Sequence, residues 1–151
     1  MLDQATIDSL RHADVAPAGH LIDGKRDAVG VGDPIEVISP IDGSHLTSLA
    51  DGDAALVDHA AAVARAAFDD GRWSKMPPAG RKAVLHRWAD LVQANAAELA
   101  VLGVRDNGTE IGMAFRAEPG SAAATLRYYA EVCDKIYGEI APTPDGILGM
   151  I

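Results

Sequence analysis

One cysteine stands among 151 residues, so no internal disulfide can form and stability has to come from packing. Aromatic residues are scarce too, at 5%. Apolar residues reach 48%, but much of that share is alanine. Alanine removes little area from water, so at about 25 cal/mol per Å² it contributes little to a core. The sequence therefore predicts modest stability on its own or reliance on a partner surface. Basic residues are the minority: 13 Lys and Arg stand against 22 Asp and Glu, for a net charge of −9. Nucleic-acid backbones and anionic membranes repel such a chain, so neither is expected as a partner. No apolar run approaches the about 18 residues needed to span a membrane. Met1-Leu2-Asp3-Gln4 has neither the basic nor the apolar region of a secretory leader. Together these absences predict a cytoplasmic protein.

A catalytic constellation is also missing. Cys133 falls on the apolar stripe of a predicted helix with no histidine within a turn, which suits a buried structural thiol. His12, His20, His45, His59 and His86 fit no metal-ligand spacing. His59 and His86 fall on polar helix faces and read as solvated. Ser44, Ser48 and Ser74 lack a G-x-S-x-G setting. Asp69, Asp70, Asp106 and Glu110 offer no acid/base pair. Gly30-Val31-Gly32 does not complete a dinucleotide fingerprint, because Pro34 and a β-rich run follow where a helix should open. Trp73 and Trp88 read as core or subunit-contact anchors.

What is present reads as an α+β chain, a small β-hairpin with about four helices. Residues 1–19 form an arm, with Thr6 capping a short helix before Pro17. Leu21-Ile22 runs into an Asp23-Gly24 turn. Pro34 to Ser39 is rich in β-branched residues, and His45 to Ala50 returns beside it after a Pro40 to Gly43 turn. Asp53 caps a helix whose stripe is Val57, Ala60, Ala61, Ala64, Ala67 and Phe68, stopped by Gly71. Pro77-Pro78 opens the next helix, with Leu85, Trp88, Ala89, Val92 and Ala96 on one face. Asn95 to Glu98 resembles a capping box that starts a third helix, which buries Leu99, Leu102 and Gly103 and ends at Asn107-Gly108. Gly103 predicts close helix approach. A fourth helix begins near Glu110 and is interrupted at Pro119-Gly120. It resumes with Leu126, Tyr129, Ala130, Cys133, Ile136 and Tyr137 on one stripe, ended by Gly138. Ile140 to Gly146 reads as loop, and Ile147 to Ile151 as the start of a strand left without a partner.

Several of these stretches, taken in order, are similar to the opening of NAD(P)-dependent aldehyde dehydrogenases. They are Leu21-Ile22-Asp23-Gly24-Lys25, Ile35 to Pro40 with Asp42-Gly43, Ala61 to Phe68, and Gly71-Arg72-Trp73-Ser74. Arg81 to Leu85 with Ala89-Asp90-Leu91, and Asp106-Asn107-Gly108, continue the match. Leu126 to Glu131 and Asp134 to Glu139 carry it furthest. Glu118 to Ser121 and the Asp134 to Glu139 tail look most like the branch acting on gamma-glutamyl-gamma-aminobutyraldehyde. Thr109-Glu110 departs from the Lys-Pro usual in the family after this glycine.

The resemblance implies the N-terminal part of the α/β aldehyde dehydrogenase fold over residues 20–138, with residues 139–151 beginning an oligomerisation strand. It implies NAD or NADP as cofactor of the complete enzyme, with none expected on this chain alone. The family's nucleophilic cysteine, general-base glutamate and oxyanion-hole asparagine have no counterpart here, and Cys133 does not match the nucleophile. A monovalent cation is implied at the carbonyls of Val37 and Ile38 and the carboxylate of Asp106, oxygens that suit a hard ion. Glu118 and Ser121 match the mouth of the substrate tunnel, although an N-cap role for Ser121 competes with that. Expected partners are the remainder of a dehydrogenase or the subunits of a homo-oligomer. The other reading is a stand-alone module that docks on a dehydrogenase subunit or on a separate catalytic half.

Overall fold

The computed structural model describes residues 3–27 and 30–151. The expected loop at Ala28 and Val29 lies outside the described residues. The first helix, α1 (Gln4–Arg11), is capped by Asp3, whose carboxylate accepts from the Thr6 N–H at 2.8 Å. Thr6 is the cap expected from the sequence. An ionised carboxylate is the stronger acceptor, and Thr6 instead donates its hydroxyl to Asp3 at 3.1 Å. The arm is anchored. Ala18 donates to the Ser48 carbonyl at 3.0 Å, and Ala50 donates to the Ala18 carbonyl at 2.9 Å. Arg105 reaches back with Nη1 to the carbonyls of Leu10 at 3.2 Å and Ala13 at 2.7 Å.

Strands come as separate antiparallel pairs. β1 (His20–Ile22) pairs with β2 (Lys25–Asp27) around Asp23 and Gly24, both at positive φ, 50° and 72°. That double left-handed turn is the one Asp-Gly favours in a tight hairpin. β3 (Ile35–Ile38) pairs with β4 (His45–Leu49), placing Ile35 opposite Leu49 and Ile38 opposite His45. The sequence foresaw this second hairpin and its turn. β5 (Ile140–Ala141) and β6 (Gly149–Met150) form a third pair, extended by Glu139 and Ile151 exchanging N–H and carbonyl at 3.0 and 2.8 Å. The final strand thus has a partner, in residues the sequence assigned to loop. The pair is too short to show in an alternation pattern.

Four helices follow the second hairpin. α2 (Ala54–Asp69) is capped by Asp53, which accepts from Leu56 N–H at 2.8 Å, and Gly71 ends its turn at φ 80°. Its inward side is Leu56, Ala60, Val63 and Ala67, whereas Val57 and Phe68 are exposed. α3 (Pro78–Ala94) and α4 (Ala96–Asn107) meet at Asn95. Asn95 makes no capping box; its Nδ2 donates backwards to the Leu91 carbonyl at 2.8 Å. α5 (Ile111–Val132) runs unbroken through Pro119, so the expected interruption is absent. Pro119 removes one N–H from the helical ladder, but its ring is buried.

The centre of the molecule is α5 lying against α3 and α4. Its fully buried residues are alanines: Ala89, Ala100, Ala114, Ala123 and Ala130, joined by Val101. Small side chains let the helix axes approach closely. Trp88 is 56% exposed rather than core, and Leu99, Tyr129, Ile136 and Tyr137 also lie outside, against expectation. Two polar clamps fasten α3 to α5. Arg127 Nη2 donates to Asp90 at 2.8 Å and to Gln93 at 2.9 Å. Glu131 accepts from Lys82 and pairs with His86 Nε2 at 2.9 Å, so His86 is engaged, not merely solvated.

Lys82 first, then His86, hold the Glu131 carboxyl below the usual glutamate range. A depressed folded-state pKa means stability that is present above the ordinary glutamate range and lost as pH falls through the lowered value. Glu131→Gln is expected to flatten the acid limb of the stability profile, read as urea midpoint against pH. An unchanged profile would show that this clamp carries no stability.

Among the described residues no helix is long and apolar enough to cross a membrane.

Candidate functional site

Val37 and Ile38 occupy the last two positions of β3, where the register slips between them. Such a slip takes a backbone group out of the ladder and leaves it free for another partner. The cross-strand partner of Val37 is Thr47, whose Oγ1 is buried without a hydrogen-bond partner. The turn that follows packs on the end of α4. A Cβ placed on Gly108 would lie 3.5 Å from Cγ of Pro40. Asp106 is exposed in the last turn of that helix. The fold therefore brings the β3 turn and the α4 terminus together, and an unsatisfied oxygen lies on the strand beside them. Thr47 was not singled out in the sequence. Its only signal is an inward position on a strand otherwise half-exposed.

Glu118 and Ser121 stand three residues apart on α5, both exposed. A Cβ on Gly103 would come within 3.0 Å of Glu118 Oε2. The missing side chain at Gly103 thus makes room for this carboxylate, where the sequence predicted close approach of a helix. Ser121 is no N-cap, because α5 begins ten residues earlier at Ile111. The cap is Glu110, which accepts from the N–H groups of Gly112 at 2.7 Å and Met113 at 2.8 Å. Those two bonds hold its carboxyl below the usual range.

Other candidates stay apart. A Cβ on Gly30 would meet the Asp51 backbone nitrogen at 2.9 Å, and one on Gly32 would meet Asp51 Oδ2 at 2.7 Å. These glycines make room for Asp51. A carboxylate there repels phosphate, so the loop does not suit a nucleotide. Cys133 donates its thiol to the Tyr129 carbonyl at 3.4 Å and is half-buried. His20 is tied to the Asp51 carbonyl at 3.1 Å, and His45 to Glu36 at 2.6 Å. Among the described residues no three His, Cys, Asp or Glu side chains cluster as a metal site would need.

Residues 27–151 match the model of the aldehyde dehydrogenase family. The chain belongs to the aldehyde dehydrogenase family. It is 40% identical over 130 residues to the NADP/NAD-dependent aldehyde dehydrogenase PuuC of Escherichia coli, covering 86% of this chain and 26% of that one. It is 41% identical to the aminoacetaldehyde dehydrogenase of Pseudomonas aeruginosa over 136 residues, 89% of this chain and 27% of the relative. The fold agrees with that of a solved gamma-glutamyl-gamma-aminobutyraldehyde dehydrogenase from Burkholderia cenocepacia. There the TM-score is 0.91 at 36% identity, over 99% of this chain and 30% of that chain. A Pseudomonas syringae indole-3-acetaldehyde dehydrogenase solved with NAD+ superposes with a TM-score of 0.92 at 36% identity, over 99% of this chain and 30% of that chain.

As an aldehyde dehydrogenase chain, it matches the N-terminal part of the fold and spans about a quarter of the length of these curated relatives. NAD+ is bound in a structural relative. Neither likeness favours a stand-alone docking module.

Proposed function

We propose that this chain forms the N-terminal scaffold of an enzyme that oxidises an aldehyde, with NAD(P)+ and water, to a carboxylic acid and NAD(P)H. The observation that carries the reading is the family match running unbroken from residue 27 to residue 151. Its substrate class is amine-bearing aldehydes, supported by relatives named for gamma-glutamyl-gamma-aminobutyraldehyde and aminoacetaldehyde. Glu118 and Ser121 border the tunnel by which the aldehyde enters. An exposed carboxylate there favours a cationic substrate by charge. The chemistry is supplied by parts of the enzyme that this chain does not match, because Cys133 is tied to a carbonyl and Asp51 lies against Gly30 and Gly32. The enzyme acts in the cytoplasm. The exposed apolar end, with Ile140, Ile147, Leu148 and Met150 among its large side chains, packs on the remainder of the dehydrogenase or on another subunit.

The test is a chimera in which this chain replaces the matching segment of the Escherichia coli relative. Its aldehyde-dependent reduction of NAD(P)+ is expected within about tenfold of the parent rate, and the 151-residue chain alone is expected to give none. A folded chimera without turnover, or turnover by the chain alone, overturns the proposal.

The same reading assigns a monovalent cation to the carbonyls of Val37 and Ile38 and the Asp106 carboxylate. The orphaned Thr47 hydroxyl beside Val37 supports an ion there, because a buried oxygen without a donor suits a cation. Sodium or potassium is expected to raise the thermal midpoint of the chain above that in tetramethylammonium at equal ionic strength. Asp106→Asn should remove the difference. A midpoint blind to the cation, or a difference that survives the substitution, sinks the assignment.

A further inference from the structure

Asn107 directly precedes Gly108, the residue type that least hinders attack by its own amide nitrogen. We propose that Asn107 is a deamidation site gated by the last turn of α4. The Gly108 nitrogen loses its proton to base and attacks Cγ of Asn107. The bond from Cγ to the side-chain nitrogen breaks as that nitrogen takes the proton back from the protonated base, ammonia leaves, and a cyclic succinimide remains. Water opens the ring at either carbonyl, giving aspartate or isoaspartate. The step needs no oxidant, reductant or cofactor.

Two hydrogen bonds set the rate in opposite directions. Thr109 N–H donates to Asn107 Oδ1 at 2.8 Å. It draws electrons from the amide carbonyl and stabilises the charge that grows on that oxygen during attack. Gly108 N–H donates to the Val104 carbonyl at 2.9 Å, and Gly108 closes the helix at φ 77°. This second bond keeps the attacking nitrogen occupied and Asn107 helical. Attack therefore waits for the terminal turn to open, an event of low free energy at a helix end. Asn107 is exposed, so water and base reach it. The chain carries its own control. Asn95 is the only other asparagine; it precedes Ala96, whose methyl crowds the nitrogen, and its amide donates to Leu91.

The product adds a carboxylate beside Asp106. As isoaspartate it also lengthens the backbone by one carbon just before Gly108, where Pro40 packs. Deamidation would thus loosen the contact between the β3 turn and the α4 terminus.

The experiment is peptide mass mapping of the 151-residue chain held in mildly alkaline buffer, native and in concentrated urea. Asn107 is expected to gain the mass of an amide-to-acid exchange while Asn95 does not, and to convert about tenfold faster in urea. An unaltered native Asn107 once the urea sample has fully converted overturns the proposal. Equal rates in the two solvents overturn the gate. In urea, where folding plays no part, Gly108→Ala should slow conversion strongly, and an undiminished rate would refute the succinimide route.

Discussion

Leucine in place of Ala130 is expected to destabilise the chain by about 1–3 kcal/mol, seen as a lower urea midpoint. Ala130 has no exposed surface, and it sits on α5 beside Glu131, which reaches Lys82 and His86 on α3. With alanines at its fully buried positions, the three-helix centre gains its packing from the closeness of its axes and not from the bulk of its side chains. Added methylenes can enter only by driving the helices apart, and that would pull the Arg127 and Glu131 clamps out of reach of α3. Ala66→Leu on the exposed side of α2 is the matched control, expected within about 0.5 kcal/mol of the parent. If the two variants unfold alike, close helix approach is not what holds this centre.

Much of the fold was legible because local chemistry decided it. Asp53 as an N-cap, Gly71 and Gly108 as left-handed stops, and the β3–β4 hairpin all depend on residues a few positions apart. The failures share a different cause. α2 carries alanine on every side, so periodicity could not tell the Leu56–Ala60–Val63–Ala67 face from the Val57–Ala61–Phe68 one. Leu21 and Ile22 of the β1–β2 hairpin share an open cleft with Ala60, Val63 and Ala67, on the first of these faces. Trp88 reads as a core or subunit-contact anchor from its sequence; the core role fails because its helix packs through Ala89, and a small residue wins where axes must approach. Pro119 predicts a break from its sequence alone, yet α5 runs through it with the ring buried. The β5–β6 pairing was invisible because two-residue strands have no pattern.

The candidate site was legible only through resemblance, since a carbonyl carries no signature in a sequence. Val37, Ile38 and Asp106 drew meaning from the family likeness. The structure adds the Thr47 hydroxyl and the Pro40 contact with Gly108, both long-range consequences of the fold.

Val101→Ala bears on how the arm is held. Val101 is 3% exposed and, among the described residues, the largest of the buried apolar side chains. It borders two clefts, one against Leu10, Ala13 and Val15, the other against Ile7, Ile41, Val104 and Ile111. Removing two methyl groups at a site already flanked by open space gives neighbours nothing to collapse onto, so a cost of about 2 kcal/mol is expected. The loss should be uneven. The arm is held by Arg105 through the Leu10 and Ala13 carbonyls and by packing on this part of α4. Amides of α1 should therefore lose hydrogen-exchange protection before those of α3 and α5. Arg105 alone, exchanging bonds to carbonyls that water could satisfy, contributes only the modest net worth of such bonds. Apolar contact through Val101 has to supply the rest. If α1 keeps its protection while the urea midpoint falls, Val101 serves the α4–α5 contact, and the arm is carried by Arg105 and the Ala18 bridge to β4.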